Sequence, residues 1–136
     1  MRDFSYLKII SIEIGSNCNM RYIHTVCPAK VMKRSDKDIP TIDEVCAIMD
    51  DAVVNGFEEM FAFYFYNEPL MYIERIREVM KRRPHYKYLL WGSGVLVNKV
   101  IEKGFDFDVF DKIVFACYDE KYYKMLLDLK TRRFVN

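Results

Sequence analysis

The chain has 136 residues, a length that suits a single domain. Its hydrophobic share of 51% is enough to build a core and excludes disorder as the dominant state. Lys and Arg number 21 against 20 Asp and Glu, so no net field steers nucleic acid or an anionic membrane toward it.

No stretch approaches the ~20 apolar residues of a membrane span, and no N-terminal apolar leader stands out. A cytoplasmic protein is therefore expected. In that reducing setting the four cysteines read as thiols or metal ligands rather than disulfides.

Residues Tyr6 to Ile14 are dense in isoleucine and predict a first strand, closed by Gly15. The polar stretch that follows, through Cys18, His24 and Cys27-Pro28, predicts a loop. Lys30 to Pro40 is charged and aperiodic, and predicts an exposed continuation of that loop. Thr41-Ile-Asp-Glu44 has the form of a capping box. The helix it opens carries Ile42, Val45, Cys46, Met49 and Val53 on one face and ends at Asn55-Gly56.

Glu59 to Tyr66 is a continuous apolar and aromatic run, as in a strand covered on both faces, and stops at Asn67-Glu68-Pro69. A second helix is expected over Tyr72 to Arg83, with Lys81-Arg82-Arg83 favouring its C-terminal dipole and Pro84 closing it. Tyr86 to Trp91 predicts a third strand ending at Gly92-Ser93-Gly94. A short helix follows over Val95 to Lys103. Lys112 to Cys117 predicts a fourth strand ending at Tyr118-Asp119. A last helix is expected from Glu120 to about Lys130, with Leu126, Leu127 and Leu129 buried.

This is β-α repeated four times, which implies an α/β fold with a parallel sheet and right-handed crossovers. In such sheets the working surface lies beyond the C-terminal ends of the strands. The four ends are the Cys18 loop, Asn67-Glu68-Pro69, Gly92-Ser93-Gly94 and Tyr118-Asp119, and all are expected on one rim. Cys18 and Cys27 are close enough in sequence to serve one metal or cluster, with ordinary thiols as the alternative. A four-coordinate zinc site needs four ligands, and only His24 is nearby. Gly92-Ser93-Gly94 lacks the lysine of a P-loop. Cys46 falls on the apolar helix face and reads as core.

Ile12-Glu-Ile-Gly-Ser-Asn-Cys-Asn-Met-Arg21 resembles the cluster loop of the radical S-adenosylmethionine (radical SAM) superfamily, written there as Cys-x3-Cys-x2-Cys after a first strand. Phe63-Tyr-Phe-Tyr-Asn-Glu-Pro-Leu70 resembles that family's second-strand motif, Leu90-Trp-Gly-Ser-Gly-Val-Leu96 its third, and Phe110 to Tyr123 its fourth. The resemblance implies a partial (β/α) barrel and a 4Fe-4S cluster. The cluster would chelate S-adenosylmethionine and cleave it to a 5′-deoxyadenosyl radical that acts on an unknown substrate. Cys18 matches the first cluster cysteine. Cys27 resembles the third, displaced by two residues as though Thr25-Val26 were inserted. Tyr22 stands at the second, and His24 is the replacement ligand the resemblance leaves open. Asn67, Glu68 and Pro69 are implied at the methionine end, with Ser93 and Asp119 as further cofactor contacts.

Family cores usually hold six β-α units, and four are legible here. A sheet of four leaves an edge unpaired, so a homo-oligomer or a partner subunit is expected to cover it. Cys117 faces the correct rim but is expected well away from the first strand. Two functions follow: an iron–sulfur enzyme cleaving S-adenosylmethionine, or a degenerate, non-catalytic domain acting as a binding or structural subunit.

Overall fold

The computed structural model describes residues 2–20 and 27–134. In chain order the main elements are β1 (Ile9–Ser11), α1 (Ile42–Val54), β2 (Met60–Ala62), α2 (Ile73–Arg82), β3 (Lys87–Gly92), α3 (Val97–Glu102), β4 (Lys112–Phe115) and α4 (Glu120–Phe134). All strand pairs are parallel, and the sheet order is β1-β2-β3-β4. The expected α/β alternation is therefore present, with β1 and β4 at the two margins of the sheet.

Local chemistry fixes the helix ends. The Glu44 N–H donates to Thr41 Oγ1 at 3.2 Å, and the Thr41 N–H donates to Glu44 Oε2 at 2.7 Å. This is the reciprocal cap expected from sequence. At the other end Gly56 takes φ +96°, a left-handed turn that lets the Phe57 N–H reach the Ala52 carbonyl at 3.0 Å.

Consecutive parallel strands joined by right-handed crossovers carry their helices on one side. Phe61, Phe63, Tyr88 and Leu90 face that side and are buried with Val45 and Met49 of α1 and Ile76 and Val79 of α2. Because side chains alternate along a strand, Met60, Tyr64 and Trp91 face the opposite side. There the Tyr64 and Trp91 rings stack with centroids 5.3 Å apart, and Trp91 stays 38% exposed.

Two expectations are corrected and one is refined. The segment from Lys30 to Pro40 is a largely exposed loop as expected, but it contains a 3-10 turn at Asp36–Asp38, buries Ile39, and leaves the Arg34 side chain only 13% exposed. The aromatic run is ladder-paired only over Met60–Ala62, because Phe65 turns outward at 66% exposure and the chain is already bending into its turn. Leu127 of α4 is 43% exposed rather than buried, since no strand beyond β4 lies beneath it among the described residues. Leu126 is half-buried, and the Leu129 side chain lies outside the described set.

Below the sheet, at the strand entries, Asp50 accepts two hydrogen bonds from Arg83 at 2.7 Å each and one from the Tyr86 hydroxyl at 2.7 Å. The Tyr88 hydroxyl donates to the Arg83 carbonyl at 2.7 Å. The Arg83 guanidinium, then the Tyr86 hydroxyl, hold the Asp50 carboxyl below its ordinary value. A lowered carboxyl contributes stability above its unfolded pKa, and that contribution is lost as pH falls through the folded value. Asp50→Asn should therefore lose about 1 kcal/mol at pH 7. The difference from the parent should begin to narrow below about pH 4 and close only once the pH has fallen past the lowered folded value, as read from urea unfolding at pH 7 and at successively more acidic pH.

Candidate functional site

The C-terminal ends of the strands form a connected rim. Pairing continues past β1, where the Ile12 N–H donates to the Ala62 carbonyl at 2.9 Å. Ile14 is fully buried, and the chain then passes beneath Tyr72 at Gly15. A Cβ on Gly15 would lie 2.0 Å from the Tyr72 ring, so glycine is required there by close approach. The Asn17 side chain accepts from the Cys18 N–H at 2.9 Å, and the Asn17 carbonyl accepts from the Glu68 N–H at 3.1 Å. The cysteine loop is thus tied to the tip of β2.

Glu68 ties that tip to the next. It is 3% exposed, and its Oε1 accepts from the Leu70 N–H at 3.3 Å while Oε2 accepts from the Ser93 N–H at 3.0 Å. Gly92 makes room: a Cβ there would come within 2.6 Å of Glu68 Oε1. The Ala116 N–H donates to the Gly92 carbonyl at 2.9 Å, which brings in the exit of β4. Three consecutive links therefore join the Cys18 loop, Asn67-Glu68-Pro69, Gly92-Ser93-Gly94 and the start of the Cys117 exit.

Asn67 is 5% exposed, and its Nδ2 donates to the Phe63 carbonyl at 3.1 Å. Its Oδ1 is buried with no hydrogen-bond partner among the described residues. An unmet buried acceptor costs about 1–3 kcal/mol, so the position is suited to a donor brought by a ligand. Pro69 is buried and opens the 3-10 turn Pro69–Tyr72. Ser93 is 6% exposed, and its Oγ accepts from the Val95 N–H at 3.4 Å. Asp119 is exposed, and its Oδ1 accepts from the Lys121 N–H at 2.7 Å, capping the start of α4.

Cys18, Cys27 and Cys117 are half-buried and Cys46 is buried in the core, as its place on the helix face implied. Tyr22 and His24 lie outside the described residues. Among the described residues, no three of His, Cys, Asp and Glu gather as a metal-binding group.

A second layer was not legible in the sequence. Arg34 pairs with Glu13 and donates through Nη2 to the Tyr66 carbonyl at 3.0 Å, while the Tyr66 N–H donates to Glu13 Oε1 at 2.7 Å. The Ser16 hydroxyl donates to Asp36 Oδ1 at 2.9 Å. These contacts fold residues 31–40 against the rim, and only the Arg34 and Asp36 residue types hinted at them.

Comparison with protein-family models, curated proteins and solved structures finds no match for the chain. No described helix is long and apolar enough to cross a membrane.

Glu68→Ala should lose about 3 kcal/mol, because two buried amides are left without acceptors. Glu68→Gln, which keeps the shape and one acceptor oxygen, should recover part of that loss. Guanidinium unfolding of the three proteins measures both effects, and equal stabilities would show that the carboxyl group holds nothing.

Proposed function

We propose that the chain is a radical SAM-type iron–sulfur protein of the cytoplasm, where thiols stay reduced. Cys18, Cys27 and His24 would hold a 4Fe-4S cluster, and the Asn67-Glu68-Pro69 tip would take the methionine end of S-adenosylmethionine. The observation that carries this reading is the contiguity of the rim: the Asn17 carbonyl on the Glu68 N–H, and the Glu68 carboxyl on the Ser93 N–H. It places a cysteine-bearing loop directly against a buried, polar strand tip.

Thiolate and imidazole both ligate iron, as in the 2Fe-2S Rieske centres, and Cys18, Cys27 and His24 would be the donors here. The unmet Asn67 Oδ1 fits a ligand ammonium. Glu68 itself is occupied by two backbone amides, so its part is to fix the tip rather than to offer a free anion. Ser93 and Asp119, on the third and fourth tips, would face the remainder of the ligand. A cluster held there would supply the reducing chemistry for S-adenosylmethionine, while the Asn67-Glu68-Pro69 tip would hold the methionine end and orient it toward the Cys18 loop.

One observation favours the second reading, a domain that binds without catalysis. Tyr22 stands where the family places a cysteine, and a phenol with a reference pKa of about 10 is a poor thiolate substitute at pH 7. Metal content decides between the two. Protein purified without oxygen should carry about four iron and four sulfide per chain and absorb near 400 nm, on the order of what a 4Fe-4S cluster shows. Cys18→Ala should abolish both signals. A colourless, iron-free wild type would remove the enzymatic reading and leave the binding domain.

A further inference from the structure

We infer that the sheet face opposite the helices binds a planar aromatic carboxylate, with its ring stacked on Trp91 above Val114 and its carboxylate beside Lys112. The slot rests on the sheet alone, and only the occupant's part as a substrate rests on the reading above.

Strand register builds the slot. The pairing of Ala62 with Leu89, extended by two residues, sets Tyr64 opposite Trp91, and Trp91 in turn pairs with Val114. The Tyr64 and Trp91 rings are stacked with centroids 5.3 Å apart and planes 23° from parallel. That separation is close to the strand spacing of about 4.8 Å, so the two rings stand side by side on neighbouring strands. The next place in the row, on β4, is held by Val114, which is half-buried and carries no ring. Among the described residues Tyr64 is the one ring stacked on the indole, and it lies on the β2 side. The indole face toward β4 is therefore the one left to a ligand. A flat ring set over Val114 meets that face at about one more strand spacing, within the ~4.5–7 Å that aromatic pairs favour. Ala62 and Leu89, one row below, are buried and close the floor, while Trp91 stays 38% exposed.

Charge selects an anion. On this face Lys87 donates to the Glu58 carbonyl at 3.1 Å, so no carboxylate neutralises it there. Lys112 is exposed, one row below Val114. It begins β4 and borders the helix-side groove too, but alternation along the strand sets its side chain with Val114 rather than with Ile113. Its neighbour Asp111 is turned to the Tyr88 N–H at 2.8 Å. Glu13, at the far end of the row, is paired with Arg34. A neutral ring leaves Lys112 unused, and an aliphatic acid leaves the indole unused; an aromatic carboxylate meets both.

The chain contains one tryptophan, so its fluorescence reports this slot. Titrating the full chain with nicotinate should quench Trp91 saturably, beyond the collisional quenching of free N-acetyltryptophanamide. Nicotinamide in place of nicotinate, or Lys112→Ala in place of wild type, should weaken binding about threefold, the scale of an exposed ion pair, and Lys112→Arg should restore it. Cyclohexanecarboxylate should not quench. Val114→Phe puts a ring of the chain's own into the slot, and should stay folded while losing the saturable quenching.

Quenching no stronger than that of the free tryptophan amide overturns the slot, as does a Val114→Phe variant that binds as well as wild type. Equal binding of nicotinamide and nicotinate overturns the carboxylate's part. Saturable quenching by adenosine or S-adenosylmethionine, with none by nicotinate, assigns the indole to the cofactor and overturns the proposal. Iron content is read separately. An iron-free protein that binds nicotinate loses the enzymatic reading and keeps the slot, and an iron-loaded protein that does not bind it keeps that reading and loses the slot.

Discussion

The carboxyl group of Glu68 is the contact on which the rim depends. A parallel sheet has no hairpins, so each strand exit must be positioned by something other than its neighbour's turn. Here one buried side chain spans two exits, accepting from Leu70 in its own turn and from Ser93 beyond β3. Its backbone N–H, aimed at the Asn17 carbonyl, fixes a third. Such a group is costly to bury unless every oxygen is met, and both are met. Gly92 and Pro69 follow from this arrangement: the first leaves space for Oε1, and the second sets the turn that returns the Leu70 amide.

What was readable in the sequence was local. The Thr41–Glu44 cap, the Gly56 stop and the apolar faces of α1 and α2 depend on neighbours within one or two helical turns, and they appear where periodicity puts them. The parallel pairing of the strands followed from β-α alternation. Contacts that cross the chain were not readable. Arg34 meets Glu13 at a separation of 21 residues, and Glu68 meets Ser93 at 25. Polar composition made residues 30–40 look like a solvated loop, whereas Arg34 spends its charge on Glu13 and Tyr66 and is left only 13% exposed. Glu68 read either as a contact for a ligand amine or as the capping acid of a strand-end turn, and its oxygens are engaged by backbone in the second way.

The sheet is unevenly finished. One face is packed by helices through Phe61, Phe63, Tyr88 and Leu90, and the other keeps Trp91 partly in water. Four parallel strands wound in one direction produce this asymmetry, since each crossover adds its helix to the same side. A doubly wound sheet would have covered both faces. The face opposite the helices is nevertheless closed at its centre, where Ala62 and Leu89 are buried, and opens only toward the rim at Trp91.

The two ends of the cysteine segment are held independently of anything it binds. Before Cys18, the chain is fixed by Gly15 under Tyr72, by Ser16 on Asp36 and by Asn17 on Glu68. After Cys27, it enters the Pro28–Lys30 turn, where Ala29 is buried. Closing a loop costs entropy that grows only slowly with its length, and most of that cost is met once its ends are fixed. A group held by Cys18 and Cys27, as proposed above, would therefore sit between two chain ends that are already fixed, and less of its bonding free energy would be spent on positioning them. The anchors that do this, Ser16–Asp36 and Arg34–Glu13, belong to the segment that composition alone assigns to solvent.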